Sequence, residues 1–228
     1  MAFAMMPKED ALVAQCDLWC LFTGDGPDLV TKGIVGREIP DMHRKNIFIT
    51  GADNLCVEHG TQHSSDFRDI FLEKKECDAF AAELVCVDDT AQYTHGQADS
   101  LLRYLLACMR NKSGVFSKVA LFTSGHHILR SWLACIARLN AAIEAEEDAS
   151  ARGMLSKVCI LPVPSYHIPF GTPPEDMVEE DWNGWVLFSR EGLPRILNYQ
   201  EKFPQNMASW EMADEHMRLV MDDHQIAG

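Results

Sequence analysis

The strongest constraint on the fold is a series of short apolar segments, each followed by a polar turn and then by residues with helical spacing. Each segment has the length and the β-branched or aromatic content expected of a buried strand. Strands that alternate with helices form a parallel sheet covered by helices on both faces. The sequence therefore predicts a three-layer α/β fold with a parallel sheet of about five strands. The predicted strands are Asp17–Phe22, Asn46–Thr50, Glu83–Val87, Val119–Phe122 and Lys157–Val163.

All 228 residues are predicted to form one domain, because single α/β domains often reach this length. The sheet and its helices make a core from about residue 17 to residue 164. The remainder, about 165–228, is predicted to be a C-terminal helical extension with helices at Pro194–Phe203 and Asn206–Asp222. Within the core, the Ala- and Glu-rich stretch Ala141–Arg152 is predicted to be the solvated end of the helix after the fourth strand.

The charge of the chain excludes some classes of partner. Lys and Arg number 20 against 34 Asp and Glu, which gives a net charge of -14. An acidic surface repels nucleic-acid phosphates, so we predict no nucleic-acid partner. No apolar run approaches the ~20 residues that a membrane-spanning helix needs, and the N-terminal residues lack a signal-peptide pattern. We therefore expect a cytoplasmic protein without membrane insertion, and the sequence leaves its oligomeric state open.

The chain contains 8 cysteines and no C-x-x-C pair. Without a secretory signal a disulfide framework is not expected, and no Cys/His set has the spacing of a structural zinc site. We interpret all eight as reduced and structural. A hard divalent cation held by two strand-end carboxylates stays open as an alternative. These carboxylates are Asp25, Asp53, Asp88 and Asp89.

The turn after the fourth predicted strand is rich in polar residues. Ligands of open parallel sheets bind outside the carboxyl ends of the strands, beside helix N-termini. Hydroxyl groups, imidazoles and a guanidinium in this turn suit an anionic or polar small molecule. The alternative is that Ser124 caps the helix, His126 is solvated and Arg130 makes a surface ion pair. The candidate ligand-binding residues are Thr123, Ser124, His126, His127 and Arg130.

The loops after the first three strands complete the candidate site. If the strand order is 3-2-1-4-5, the first and fourth strands flank the topological switch point, and four loops line one crevice. Gly24 and Gly26 begin like a dinucleotide fingerprint, but the third glycine is missing, so NAD is not predicted. Asp88, at the end of the third strand, is a candidate catalytic carboxylate. The candidate ligand-binding residues from these loops are Thr23, Gly24, Asp25, Gly26, Gly51, Asp53 and Thr94.

Three of these segments resemble one family. Thr123–Arg130 (TSGHHILR) is similar to the T-S-x-x-H-x-x-R motif of the YdcF/SanA/ElyC-like group. Asp88–Ala98 (DDTAQYTHGQA) is similar to its E-x-x-S-x-N-T-x-E-N-A motif, with Asp88 in place of Glu, although Tyr93 replaces an Asn. Phe48–Gly51 (FITG) resembles its apolar run ending in S-G.

The resemblance covers about residues 17–164 and implies a Rossmann-like sheet. It assigns the family His to His127, the family Arg to Arg130 and the family Thr to Thr94. One branch of the group is linked to S-adenosylmethionine, so the resemblance implies S-adenosylmethionine or another nucleotide-like ligand. It establishes no reaction, and the cofactor is otherwise unknown.

Two classes of function fit these residues. In a small-molecule enzyme, His127 would be a general acid or base, Arg130 would hold a phosphate or carboxylate, and Asp88 or Asp25 would orient His127 or a water. In a non-catalytic ligand-sensing module, the same crevice would bind its ligand without an activated base. A protein-interaction module built around Trp182–Trp185 is the third hypothesis.

Overall fold

The computed structural model describes residues 9–23, 39, 44–51, 68–69, 72, 81–111, 114–123, 125–164 and 193–223. Five parallel strands in these ranges form one sheet in the order β3-β2-β1-β4-β5. Helices flank the sheet, so the predicted three-layer, Rossmann-like α/β fold is confirmed, as is the strand order. The strands are β1 (Leu18–Phe22), β2 (Asn46–Thr50), β3 (Val85–Asp88), β4 (Lys118–Thr123) and β5 (Cys159–Pro164).

Six α-helices have both ends in the described ranges, with short 3-10 turns at Ala82–Leu84 and Pro204–Asn206, and residues 68, 69 and 72 are also helical. The two longest, α2 and α3, begin just beyond the carboxyl ends of β3 and β4. No helix among the described residues is long and apolar enough to cross a membrane. The helices are α1 (Glu9–Gln15), α2 (Thr94–Asn111), α3 (Gly125–Ala145), α4 (Ala149–Leu155), α5 (Leu193–Lys202) and α6 (Trp210–Asp223).

The central strands carry the core. β1 is buried along its whole length and pairs with β2 on one side and β4 on the other. Trp19 of β1 packs against Phe122 of β4 with ring centroids 5.4 Å apart, and Trp132 of α3 is fully buried. Burial of side chains of this size is the main favourable contribution to folding. Apolar residues of the C-terminal helices join the same core, among them Ile196 and Val220.

Two side chains form hydrogen bonds with the backbone on the outer side of the edge strand β5. Cys159 N–H donates to the Ser117 carbonyl of the neighbouring strand segment at 2.7 Å, so the next residue, Ile160, has its backbone groups facing outward. Ile160 N–H donates to His216 Nε2 of α6 at 3.0 Å, and Trp132 Nε1 donates to the Ile160 carbonyl at 2.8 Å. Two hydrogen bonds therefore attach α6 and α3 to this edge.

The stretch Ala141–Arg152 differs from the prediction of one solvated helical end. α3 ends at Ala145, and a separate helix, α4, begins at Ala149. The Asp148 carboxylate caps α4 by accepting hydrogen bonds from Ser150 N–H at 2.7 Å and Ala151 N–H at 3.2 Å. A capping side chain of this type stabilises a new helix start by about 1 kcal/mol.

The cysteines in the described ranges are free thiols. Five of the six are buried, and burial raises the pKa of the Cys16 thiol to about 12, so this group stays protonated at neutral pH. Cys86 differs from the others because its side chain on the edge strand β3 is exposed. Cys56 and Cys77 lie outside the described residues.

Candidate functional site

A cavity of about 280 Å³ lies at the carboxyl ends of β1 and β4, where the strand order reverses. The first turns of α2 and α3 and one side of α5 surround it. Its position agrees with the general rule for ligand sites in open α/β sheets. The described lining residues are Phe22, Thr23, Gln92, Tyr93, Thr94, His95, Gln97, Thr123, His127, Arg130, Ser131, Ala134, Arg195, Tyr199, Asn206 and Met207.

The first turns of α3 supply an imidazole–guanidinium pair. His127 and Arg130 are three residues apart and therefore share one face of the helix. An Arg130 Nη2–H group donates to His127 Nδ1. Because a guanidinium only donates hydrogen bonds, His127 Nδ1 must accept, and the neutral ring then carries its proton on Nε2. In this arrangement His127 is a hydrogen-bond donor at Nε2.

Gln97 of α2 fixes the floor of the site. Its side-chain amide is buried and donates to the carbonyl of Thr23 at 3.0 Å and to the carbonyl of Thr50 at 2.9 Å. These carbonyls lie at the carboxyl ends of β1 and β2. One side chain therefore attaches both strand ends to the N-terminal turn of α2. Tyr93, just before α2, stacks on His95 with ring centroids 5.7 Å apart.

Gly51 lies directly under this amide and has a positive φ of 132°. A Cβ atom at this position would overlap Gln97 Nε2 and the Thr23 hydroxyl, and would lie 3.1 Å from the Thr23 carbonyl. Thr23 N–H also donates to the Thr50 carbonyl at 3.0 Å. Gly51 is absent from the described lining, so its observed part in the site is to allow these close approaches.

Asp88, the candidate catalytic carboxylate, is bound by residues of the following loop and of α2. It accepts hydrogen bonds from Thr90 N–H at 2.9 Å, from the Ser100 hydroxyl and from Arg103 at 3.1 Å. Burial alone would raise the pKa of Asp88, but the hydrogen bonds from Ser100, Thr90 and Arg103 outweigh it and lower the pKa to about 2. Asp88 is therefore ionised near neutral pH, and it is not among the described residues that line the cavity.

The C-terminal helix α5 contributes residues that the sequence did not reveal as part of the site. Arg195 and Tyr199 line the cavity, followed by Asn206 and Met207 after the end of α5. The sequence predicted this helix but carried no signal for where it docks. The one local indication in the sequence was that Arg195 and Tyr199 are one helical turn apart, which places both side chains on the same side of the helix.

The described residues of the lining have a charge opposite to that of the chain. Two arginines line it, Arg130 and Arg195, whereas none of its described residues carries a carboxylate. The whole chain has 34 acidic against 20 basic residues. The N-termini of α2 and α3 add partial positive charge at the same end of the sheet. The arrangement suits a negatively charged group.

The cavity brings together five of the predicted site residues from three parts of the chain. Gly24, Asp25, Gly26, Asp53 and Ser124 lie outside the described residues, as does the side chain of His126. The described part of the chain contains no group of three Cys, His, Asp or Glu residues placed to hold a metal ion. The five residues at the cavity are Thr23, Thr94, Thr123, His127 and Arg130.

The T-S-x-x-H-x-x-R segment thus places its His and Arg at the cavity, and the Thr assigned from the second motif, Thr94, also lies there. The resemblance to the YdcF/SanA/ElyC-like group stays a prediction. In comparisons with known proteins, no family model, no curated protein and no solved structure matches this chain.

Proposed function

We propose that this protein binds a small molecule bearing a phosphate or carboxylate group in the cavity at the ends of β1 and β4. One observation carries the proposal: the described lining has two arginines and no carboxylate, in a chain of net charge -14. A positively charged patch on a protein of negative net charge raises the local concentration of an anion. The volume of about 280 Å³ lies near the lower end of the range for small-molecule sites, roughly 300–1,000 Å³.

Arg130 is the proposed anchor for the anion. Its guanidinium can give two parallel hydrogen bonds to a phosphate or carboxylate, which makes such contacts stronger than neutral ones. The Arg130–His127 bond orients both side chains. In the neutral tautomer described above, His127 Nε2–H would donate to the same ligand.

S-adenosylmethionine, the ligand implied by the family resemblance, fits this lining poorly. It carries a sulfonium and an ammonium group, and cations are stabilised by carboxylates, which the described lining lacks. We therefore propose an anionic ligand, which includes nucleotide-like molecules with phosphate groups. The free thiols of the described residues support a cytoplasmic location, which we retain as a proposal.

Replacing Arg130 with glutamine should weaken anion binding about 10- to 100-fold, since a hydrogen bond to a charged group contributes roughly 1.5–3 kcal/mol. Isothermal titration calorimetry with orthophosphate, ribose 5-phosphate and adenosine monophosphate measures the effect. Arg218→Gln is the matched control, because Arg218 pairs with Asp214 on the exposed surface of α6. Equal binding by wild type and Arg130→Gln, or no binding of any anion by wild type, contradicts the proposed function.

His127 distinguishes an enzyme from a ligand-sensing module. As an enzyme residue it would donate the Nε2–H hydrogen bond to a leaving oxygen of the ligand and stabilise the negative charge that develops there while a water molecule attacks the phosphorus. We expect His127→Ala to reduce turnover of a bound phosphate ester at least about 100-fold while its affinity changes much less. Phosphate release measured with the ligands that bind provides the test. If wild type releases no phosphate and the variant alters affinity alone, the sensing module is the correct alternative.

A further inference from the structure

The helix α5 presents one face to the cavity. Arg195 and Tyr199 are four residues apart, so both side chains lie on the same side of the helix, and both line the cavity. Ile196, between them in sequence, is 1% exposed and belongs to the hydrophobic core. The packing of Ile196 thus sets the rotation of α5 that brings Arg195 to the cavity.

Hydrogen bonds attach α5 to the helix that carries Arg130. Gln200 Nε2 of α5 donates to the Ala208 carbonyl at 2.6 Å, and Ala208 N–H donates to the Leu133 carbonyl of α3 at 3.1 Å. Arg138 of α3 also donates to Asn206 Oδ1 at 3.4 Å. The two arginines of the cavity therefore stand on two separate helices that are held together by these contacts.

Two guanidinium groups from different helices can each receive a separate anionic group. A ligand with one acidic group can fill the donor fork of one arginine, while a ligand with two acidic groups can engage both. The hydroxyl of Tyr199, one turn along α5, is an additional donor beside Arg195.

We propose that Arg195 is a specificity-determining binding residue, and that the cavity selects small molecules with two separate acidic groups, such as pyrophosphate esters or phosphorylated carboxylic acids. This inference rests on the proposed function, because it takes Arg130 as the contact for the first group. Arg195 then contacts the second group and favours such ligands over molecules that have one.

The test uses two stable probes that differ by one acidic group, methylphosphonate and methylenediphosphonate. Wild type should bind methylenediphosphonate at least about 10-fold more tightly than methylphosphonate. Arg195→Gln should lose most of that preference, with methylenediphosphonate about 10-fold weaker and methylphosphonate changed less than about 3-fold. Lys202→Gln is the matched control, since it removes the same charge from an exposed position on α5, and it should change neither affinity more than about 3-fold.

Each outcome separates the two proposals. Equal affinities of wild type for the two probes, with loss of both in Arg130→Gln, would overturn the role of Arg195 and leave the proposed function standing. An equal loss of affinity for both probes in Arg195→Gln would also overturn the role of Arg195. The same loss in Lys202→Gln would do so too, because either result is a general effect of charge. If wild type binds neither probe, and no anion of the wider panel, the proposed function fails together with this inference. Circular dichroism of each variant verifies that the exposed substitutions leave the fold intact.

Discussion

Replacing Gly51 with alanine should destabilise the protein by roughly 3 kcal/mol or more. The backbone at Gly51 has a φ of 132°, a conformation that residues other than glycine rarely adopt. The new Cβ would also overlap Gln97 Nε2 and the Thr23 hydroxyl. Relief of this overlap must displace the Gln97 amide from the carbonyls of Thr23 and Thr50, and would leave buried carbonyl groups with fewer donors.

Urea unfolding followed by circular dichroism measures the change. Gly153→Ala is the matched control, because Gly153 lies in α4 and an added Cβ meets no atom within 4 Å. Alanine at this exposed helical position should stabilise the protein by about 0.5–1 kcal/mol. Opposite signs for the same chemical change would show that geometry at the site is the cause. A Gly51→Ala variant within about 0.5 kcal/mol of wild type would refute the argument, since that is the usual range for surface substitutions.

Acidification should destabilise the protein through His216. This side chain is 8% exposed, and burial lowers its pKa from 6.5 to about 4. His216 Nε2 accepts the Ile160 N–H, which requires an unprotonated nitrogen. Protonation converts His216 Nε2 into a second N–H group. This group then faces the Ile160 N–H and can no longer accept its hydrogen bond.

The sign of the effect follows from proton binding. Between pH 6.5 and about 4, the unfolded chain binds a proton at His216 and the folded chain does not, so the free energy of unfolding falls as the pH falls. The contribution is fully present above pH 6.5 and is lost by about pH 4. The shift corresponds to a loss of roughly 3 kcal/mol over this range.

The variant His216→Gln isolates this contribution from the other histidines. Glutamine can place an acceptor near the position of Nε2 but does not titrate. We expect wild type to lose roughly 3 kcal/mol more than the variant between pH 6.5 and 4, measured by urea unfolding at a series of pH values. Parallel stability curves for the two proteins would show that His216 is not the group responsible.

The sequence was sufficient to predict the sheet because its signals are local. Each buried strand is a short apolar run bounded by polar residues, and alternation with helices indicates a parallel sheet. The order 3-2-1-4-5 was assumed because it is a common doubly wound order. This order placed Thr123 and His127 beside Thr23, because carboxyl ends of neighbouring parallel strands meet at one edge. No contact between individual residues was needed for these predictions.

The remaining features of the site depend on contacts between distant parts of the chain. Arg195 reaches the cavity because Ile196 is buried and Gln200 is bonded to Ala208, and neither contact has a local sequence pattern. Asp88 was predicted as a catalytic candidate from its strand-end position and from its match to the Glu of the family motif. Its hydrogen bond from Ser100 depends on how α2 packs, which periodicity does not specify.

The hydrogen bond that attaches α6 to β5 also occupies a backbone donor at the edge of the sheet. An edge strand with unpaired N–H and C=O groups is a template for a strand from another molecule, and such pairing begins aggregation. At Ile160 both outward groups are already engaged, the N–H by His216 and the carbonyl by Trp132. Detachment of α6 would return this N–H to the sheet edge, whereas Pro162 and Pro164 of the same strand have no N–H to expose. The His216–Ile160 hydrogen bond therefore removes an unpaired donor from the edge strand in addition to stabilising the fold.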